Sequence, residues 1–228
     1  MSTLTAKRSL VTHLDPYSQV SDTFRSLRNM IATSAGEKDR KIIAVTSAEP
    51  SEGKTTVAVN LAIASAQTGK KVLLIDANLR QPGLHQTFSV SNHNGLSSVL
   101  LQSAGLAESV KDVGIPLLTV LTSGPAPVLS GDPLDSSAMD ALLKQARAEY
   151  DLVIIDSPAL LALADASTVA MKSDGVLWVL HSGISRKAKA LEAKKLLARL
   201  DAKVIGCVLN KAKSGQASAY RHYQASRA

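Results

Sequence analysis

Ala48-Glu-Pro-Ser-Glu-Gly53-Lys54-Thr55-Thr56 has the residue types and spacing of a phosphate-binding loop, with Ala48 where the first glycine usually stands. It follows a short apolar run, Lys41–Thr46, and opens a helical pattern, which is the context such a loop requires. Pro50, Ser51, Glu52, Gly53, Lys54, Thr55 and Thr56 are expected to wrap the phosphates, with loop and helix-start N–H groups pointing at phosphate oxygens. Gly53 permits close approach of the backbone. Lys54 would reach the β- and γ-phosphates of ATP, and the Thr55 hydroxyl would ligate Mg²⁺. A loop of this kind needs acids near the metal. Asp76 closes the run Val72–Ile75 and Asp156 closes Leu152–Ile155. Each carboxylate, at the C-terminal end of a buried strand, would face the same crevice as the loop. Thr55, Asp76 and Asp156 are therefore the predicted metal ligands, Asp156 acting through a water. A chance Gly-Lys-Thr in a turn, and aspartates that merely cap the next turn, are the bland alternatives.

The elements that must position these groups are legible as apolar runs. Lys41–Thr46, Lys71–Asp76, Leu117–Leu121, Leu152–Asp156, Val176–Leu180 and Val204–Leu209 read as buried strands. Helical patterns lie between several of them, near Ala138–Glu149, Asp165–Lys172 and Lys187–Leu200. Upstream, Val20, Phe24, Leu27 and Ile31 recur at helical spacing and predict one apolar stripe. Alternation of apolar strands with helices predicts an α/β fold of the P-loop NTPase type. The sheet is mostly parallel, with helices on both faces in three α/β/α layers. Right-handed crossovers then gather the strand C-terminal ends along one edge, where ligands bind. Gln81–Pro133 is less regular, with turn chemistry at Ser123–Pro127 and Ser130–Pro133. The expected organisation is a flexible arm over 1–16, one domain over 17–212 and a tyrosine-bearing tail over 213–228.

Composition excludes several classes. The chain has 228 residues, 45% of them hydrophobic, enough for one sizeable core. Aromatics are only 3%, too few for a base-stacking platform, and no recognised nucleic-acid module occurs, so nucleic acid is not expected. Cys207, the sole cysteine, cannot form an internal disulfide or a multi-thiolate metal site. It lies in an apolar run and is expected to be buried, in a reducing cytoplasm. No apolar run has the length of a membrane span, and no apolar block follows Lys7 and Arg8 as in a secretory signal. The formal net charge is +7, with much of the excess at Arg186, Lys187, Lys189, Lys194, Lys195, Arg199 and Lys203. That run is either a solvated helix face or a face apposed to an anionic leaflet or partner.

From about Tyr17 to Tyr223 the chain resembles the bacterial tyrosine kinases of capsule and exopolysaccharide production. The resemblance rests on Thr46–Thr56, on Val72-Leu-Leu-Ile-Asp76-Ala-Asn78-Leu-Arg80-Gln-Pro82, and on Gly95–Leu100. Leu121–Pro125, Tyr150–Pro158, Val208-Leu-Asn210 and Asp22-x-x-Arg25-x-x-Arg28 complete it. It implies transfer of the ATP γ-phosphate to tail tyrosines, here Tyr220 and Tyr223, in trans within an octameric ring. Asp22, Arg25 and Arg28 would assemble that ring, and Asn210 would contact adenine. Lys54, Asp76, Asp156 and the position of Asn78 would carry catalysis. The resemblance also implies a membrane polysaccharide co-polymerase as activator and a cognate tyrosine phosphatase. The location would be cytoplasmic, at the inner face of the plasma membrane through that partner. The family pattern has a second aspartate where this chain has Asn78, which cannot act as a base near neutral pH. A kinase inactive or weak through Asn78 and an ATP-binding regulatory scaffold both remain open. So does a partitioning- or division-site-type ATPase, although Glu49 stands where those proteins carry a signature lysine.

Overall fold

A computed structural model describes residues 10–33, 40–126 and 132–212. In chain order the helices are α1 (Val11–Leu14), α2 (Gln19–Thr33), α3 (Lys54–Ala66), α4 (Leu84–Phe88), α5 (Leu96–Leu100), α6 (Leu106–Ser109), α7 (Ser137–Glu149), α8 (Ala164–Lys172) and α9 (Lys187–Arg199). The strands are β1 (Ile42–Ser47), β2 (Val72–Asp76), β3 (Val110–Asp112), β4 (Leu118–Leu121), β5 (Leu152–Asp156), β6 (Gly175–His181) and β7 (Val204–Asn210). They form one sheet in the order β3-β4-β2-β5-β1-β6-β7. All neighbours are parallel except β3 and β4.

Successive strand residues feed opposite cores, which is why the central strands are apolar without polar alternation. Ile42, Leu73, Ile75, Val153, Ile155 and Trp178 pack beneath α5, α7, α8 and α9. Ile43, Val45, Val72, Leu74, Ile154 and Leu177 pack beneath α2 and α3. The three-layer α/β/α arrangement is thus present. Every residue of α3 from Val57 to Ala66 is buried, because α1 and α2 cover its outer side.

Three expectations need correction. The segment read as a flexible arm ends in a helical turn, α1, docked on α3: Asn60 Oδ1 accepts from Thr12 N at 2.9 Å, and Gln67 Nε2 donates to Thr12 O at 3.2 Å. Residues 1–9 lie outside the described residues. Val20 is 51% exposed, so the buried stripe of α2 reduces to Phe24 with Leu27 and Ile31 packed beside it. Cys207 is exposed, because β7 is an edge strand that the helical layers cover incompletely. The antiparallel strand β3 and the short helices α4–α6 within the irregular segment were not foreseen.

Two of the motifs quoted above meet in space. The N–H groups of Leu96 and Ser97 donate to the carbonyls of Thr122 and Ser123 at 2.7 and 2.8 Å. A Cβ on Gly95 would stand 2.3 Å from Thr122 O and from Gly124 N, so only glycine allows this crossing.

Candidate nucleotide and metal site

The loop between β1 and α3 turns through left-handed backbone at Ser51 (φ 67°) and Gly53 (φ 93°). Such turns line successive N–H groups into an anion-binding concavity that continues into the start of α3. Glu52 points inward, with 1% of its surface exposed. Its Oε2 accepts from Glu49 N at 3.0 Å and its Oε1 accepts from the Ser185 hydroxyl. Ser185 Oγ in turn accepts from His181 N at 2.7 Å. Asn210, closing β7, donates through Nδ2 to Glu52 O at 3.0 Å. A Cβ on Gly53 would fall 2.0 Å from that amide nitrogen. The phosphate loop is thereby strapped to the ends of both β6 and β7. The sequence reading included Glu52 and Asn210 without this role and missed Ser185, which no motif marks.

Asp76 and Asp156 are paired residues on adjacent parallel strands, and Asp156 also sits in register with Val45 of β1. Both are buried at the sheet edge that carries the loop. Burial raises both carboxyls above the usual carboxylate range. For Asp156 the Asp76 charge adds to burial, Lys54 and the Thr55 hydroxyl oppose it, and the group is pushed up to about 7. Three backbone amides oppose the rise at Asp76: Leu84 and Gly83 donate to Oδ2 at 3.0 and 2.9 Å, and Asn78 donates to Oδ1 at 3.1 Å. Asp76 therefore shapes residues 77–84 and caps the start of α4. A carboxylate offers about four acceptor sites, so one remains for a metal.

Asp156 Oδ1 is buried with no hydrogen-bond partner among the described residues, while the Thr55 hydroxyl and Lys54 stand close to the same carboxyl. An uncompensated buried carboxylate oxygen is costly. A hard divalent cation would satisfy it, and a threonine hydroxyl with two carboxylates is the oxygen donor set that Mg²⁺ prefers. The predicted ligands Thr55, Asp76 and Asp156 are thus brought together.

Asn78 lies just beyond β2, where its Oδ1 accepts from Gln81 N at 3.2 Å and holds a turn. The predicted assembly residues lie elsewhere, on α2. Arg25 pairs with Asp22 at 2.5 Å and donates to Pro16 O at 2.6 Å. Arg28 donates to Ala64 O of α3 at 2.9 Å. Tyr220 and Tyr223 lie outside the described residues.

A phosphate loop after the first strand, paired strand-end carboxylates and a mostly parallel sheet between helical layers define a P-loop NTPase. Residues 40–200 match the family described as an AAA domain. The chain is 40% identical to the tyrosine-protein kinase YwqD of Bacillus subtilis over 217 residues, 95% of this chain and 92% of that protein. It superposes on the kinase domain of the Escherichia coli tyrosine kinase ETK with a TM-score of 0.83 and 31% identity, covering 90% of this chain and 82% of that one. The chimerical protein CapA2B2 gives a TM-score of 0.86 at 35% identity, covering 90% of this chain and 91% of that one. The chain belongs to the family of bacterial tyrosine-protein kinases.

Proposed function

We propose that this chain is an ATP–Mg²⁺-dependent tyrosine autokinase that regulates capsular or exopolysaccharide synthesis and export. The observation that carries the proposal is the orphaned Asp156 Oδ1, held beside Thr55, Lys54 and Asp76 at the mouth of the phosphate loop. Mg²⁺, held by Thr55, Asp76 and Asp156, would supply charge neutralisation at the transferring phosphoryl group. Loop amides and Lys54 orient the phosphates, and Asn210 at the rim contacts adenine. The acceptors are Tyr220 and Tyr223, reached in trans within a ring built on Asp22, Arg25 and Arg28. A membrane polysaccharide co-polymerase activates the kinase at the inner face of the plasma membrane, and a cognate phosphatase reverses it. Among the described residues no helix is long and apolar enough to cross a membrane.

Asn78 favours a second reading. Its side chain serves as a turn cap and brings no carboxylate to the acceptor hydroxyl. A weak kinase, or a scaffold that signals through ATP-dependent assembly, follows from that.

Phosphotyrosine mapping after incubation with ATP–Mg²⁺ tests both readings, with Lys54→Ala and Asn78→Asp in parallel. A near-isosteric aspartate at position 78 can keep the Gln81 contact while adding a charge. Because transfer depends on positioning and charge stabilisation, we expect that variant to be about tenfold or more faster. Phosphate on the tail in the parent or in Asn78→Asp, and none in Lys54→Ala, supports the kinase. An equal or lower rate in Asn78→Asp removes Asn78 as the limiting feature. No phosphotyrosine in any sample, even with the activator's cytoplasmic segment added, rejects the kinase reading.

A further inference from the structure

The outer surface of α9 is not used by the nucleotide site. The helix turns Ala193 and Leu197 inward against the sheet, with Ala190 and Leu196 partly buried beside them. Lys187, Ala188, Leu191, Lys194, Lys195, Ala198 and Arg199 are all exposed. On a helix of ordinary pitch Leu191 and Lys195 lie nearest the middle of that outward face, and Ala198 and Ala188 lie to either side of them. Lys187 and Lys194 form one flank, and Arg199 and the exposed Glu192 form the other. Ile184, in the loop that enters α9, is 63% exposed and Leu191 is 49% exposed. Arg186 and Lys203, at the two ends of the helix, are exposed as well.

Most of this positive charge has no ion-pair partner among the described residues. Among the described residues, Arg186, Lys187, Lys194, Lys195, Arg199 and Lys203 form no ion pair within 4.0 Å. Glu192 is already paired with Lys189 at 2.9 Å, and the only other acid from 182 to 212 is Asp201. Lys194 lies close enough to Cys207 for its charge to act on the thiol, so the exposed side of β7 continues the same surface.

We propose that this face docks directly on an anionic lipid bilayer, with α9 lying in the plane of the interface. Lysines and an arginine set among exposed aliphatic side chains suit an interfacial helix: long charged stems reach headgroup phosphates while Leu191 and Ile184 enter the acyl boundary. Unpaired cations near an anionic leaflet add attraction one by one. A single convex helix face has no groove to track a nucleic-acid backbone and carries no aromatic side chain for stacking. Exposed Leu191 and Ile184 would serve neither purpose, but a planar bilayer accommodates both. This contact is made by the chain itself, separately from any membrane protein partner, and it does not depend on kinase activity.

The full chain, purified alone, is sedimented with vesicles of phosphatidylcholine and with vesicles of phosphatidylcholine mixed with phosphatidylglycerol. Binding is expected only to the mixed vesicles and should weaken as salt rises. Lys194→Glu with Lys195→Glu should reduce it by about tenfold or more. Ile184→Ser with Leu191→Ser should reduce it by roughly severalfold, since aliphatic area leaves the interface. ATP affinity, unchanged in both variants, would show that each still folds. Absence of vesicle binding by the parent overturns the proposal, as does full retention of binding by either variant. Binding to duplex DNA without binding to vesicles also overturns it, in favour of nucleic acid.

Discussion

At the residue scale the site is held in tension. Asp156 has a carboxyl that burial has pushed up to about 7 from its ordinary value of 3.8. Between those values the folded protein holds a proton that the unfolded chain has released, so stability falls as pH rises through that window. Below about pH 3.8 the penalty is absent, and above about pH 7 it is complete. Asp156→Asn should therefore raise the Tm of the protein in metal-free buffer at pH 8, with the gain shrinking as pH falls towards 4. Each kcal/mol relieved is worth about 2–4 °C in a chain of this size. An equal Tm difference at pH 5 and pH 8 would show that Asp156 ionises freely. The same substitution should abolish Mg²⁺-dependent transfer, which makes the destabilisation a cost of the chemistry. Ser185 is the complementary case, a hydroxyl that steadies the buried side chain of Glu52. Leaving a buried acceptor without its partner costs about 1–3 kcal/mol, and part of that should appear as nucleotide affinity because Glu52 shapes the phosphate loop. Ser185→Ala should weaken ATP binding by roughly tenfold, by titration calorimetry, and Ser185→Thr should restore most of it. Equal affinities in parent and Ser185→Ala would mean that the contact does not order the loop.

Elements show what the sequence displays and what it hides. Strands β1, β2 and β5 are legible because each is buried on both faces and is therefore apolar without interruption. The ends of β2 and β5 are legible because an aspartate stops each apolar run, and Asp76 adds a structural use by capping the start of α4. Edge strands lack that signature. Val204–Asn210 is as apolar as a central strand, yet Val204, Cys207 and Leu209 are exposed, since apolarity records what a strand can bury and not whether a neighbour covers it. The braces around the site were illegible for another reason. Ser185 and Glu52 lie 133 positions apart, and Thr12 and Asn60 lie 48 apart, so no local pattern joins them. Gly95 was part of a quoted motif, but its reason, the close crossing of residues 122–124, is tertiary. The α1–α3 contact gives this point an energetic test. Asn60 accepts from Thr12 N and donates to Thr56 O at 2.8 Å. Asn60→Ala would strand a buried N–H at a cost of about 1–3 kcal/mol. Urea unfolding should show that loss with an unchanged m-value, and proteolysis should reach residues 10–18 sooner. A midpoint equal to the parent's would mean that α1 is not anchored through Asn60.

For the whole molecule, the open question is how one chain meets its copies, and α2 bears on it directly. Arg25 and Arg28 are the residues that the resemblance implies for ring assembly, yet within a single chain both already have partners. Arg28 donates to the Ala64 carbonyl near the end of α3, and Arg25 bridges Asp22 and Pro16 O. These contacts do not forbid a second set across an interface, because a guanidinium carries five donors. They do mean that alanine at either position acts twice, loosening α2 from α3 and deleting any contact between chains. Oligomer mass alone would confound the two effects. Arg25→Ala with Arg28→Ala should lower Tm modestly in the monomer, and Arg28→Lys should recover part of that loss, since lysine can still reach a carbonyl. If assembly uses the planar fork, Arg28→Lys should remain unassembled with ATP–Mg²⁺ in light scattering while the parent grows with concentration. If Arg28→Lys assembles as the parent does, the fork is not the interface element. If the parent stays monomeric at every concentration with ATP–Mg²⁺, these arginines belong to the fold alone, and transfer in trans would have to proceed through transient encounters.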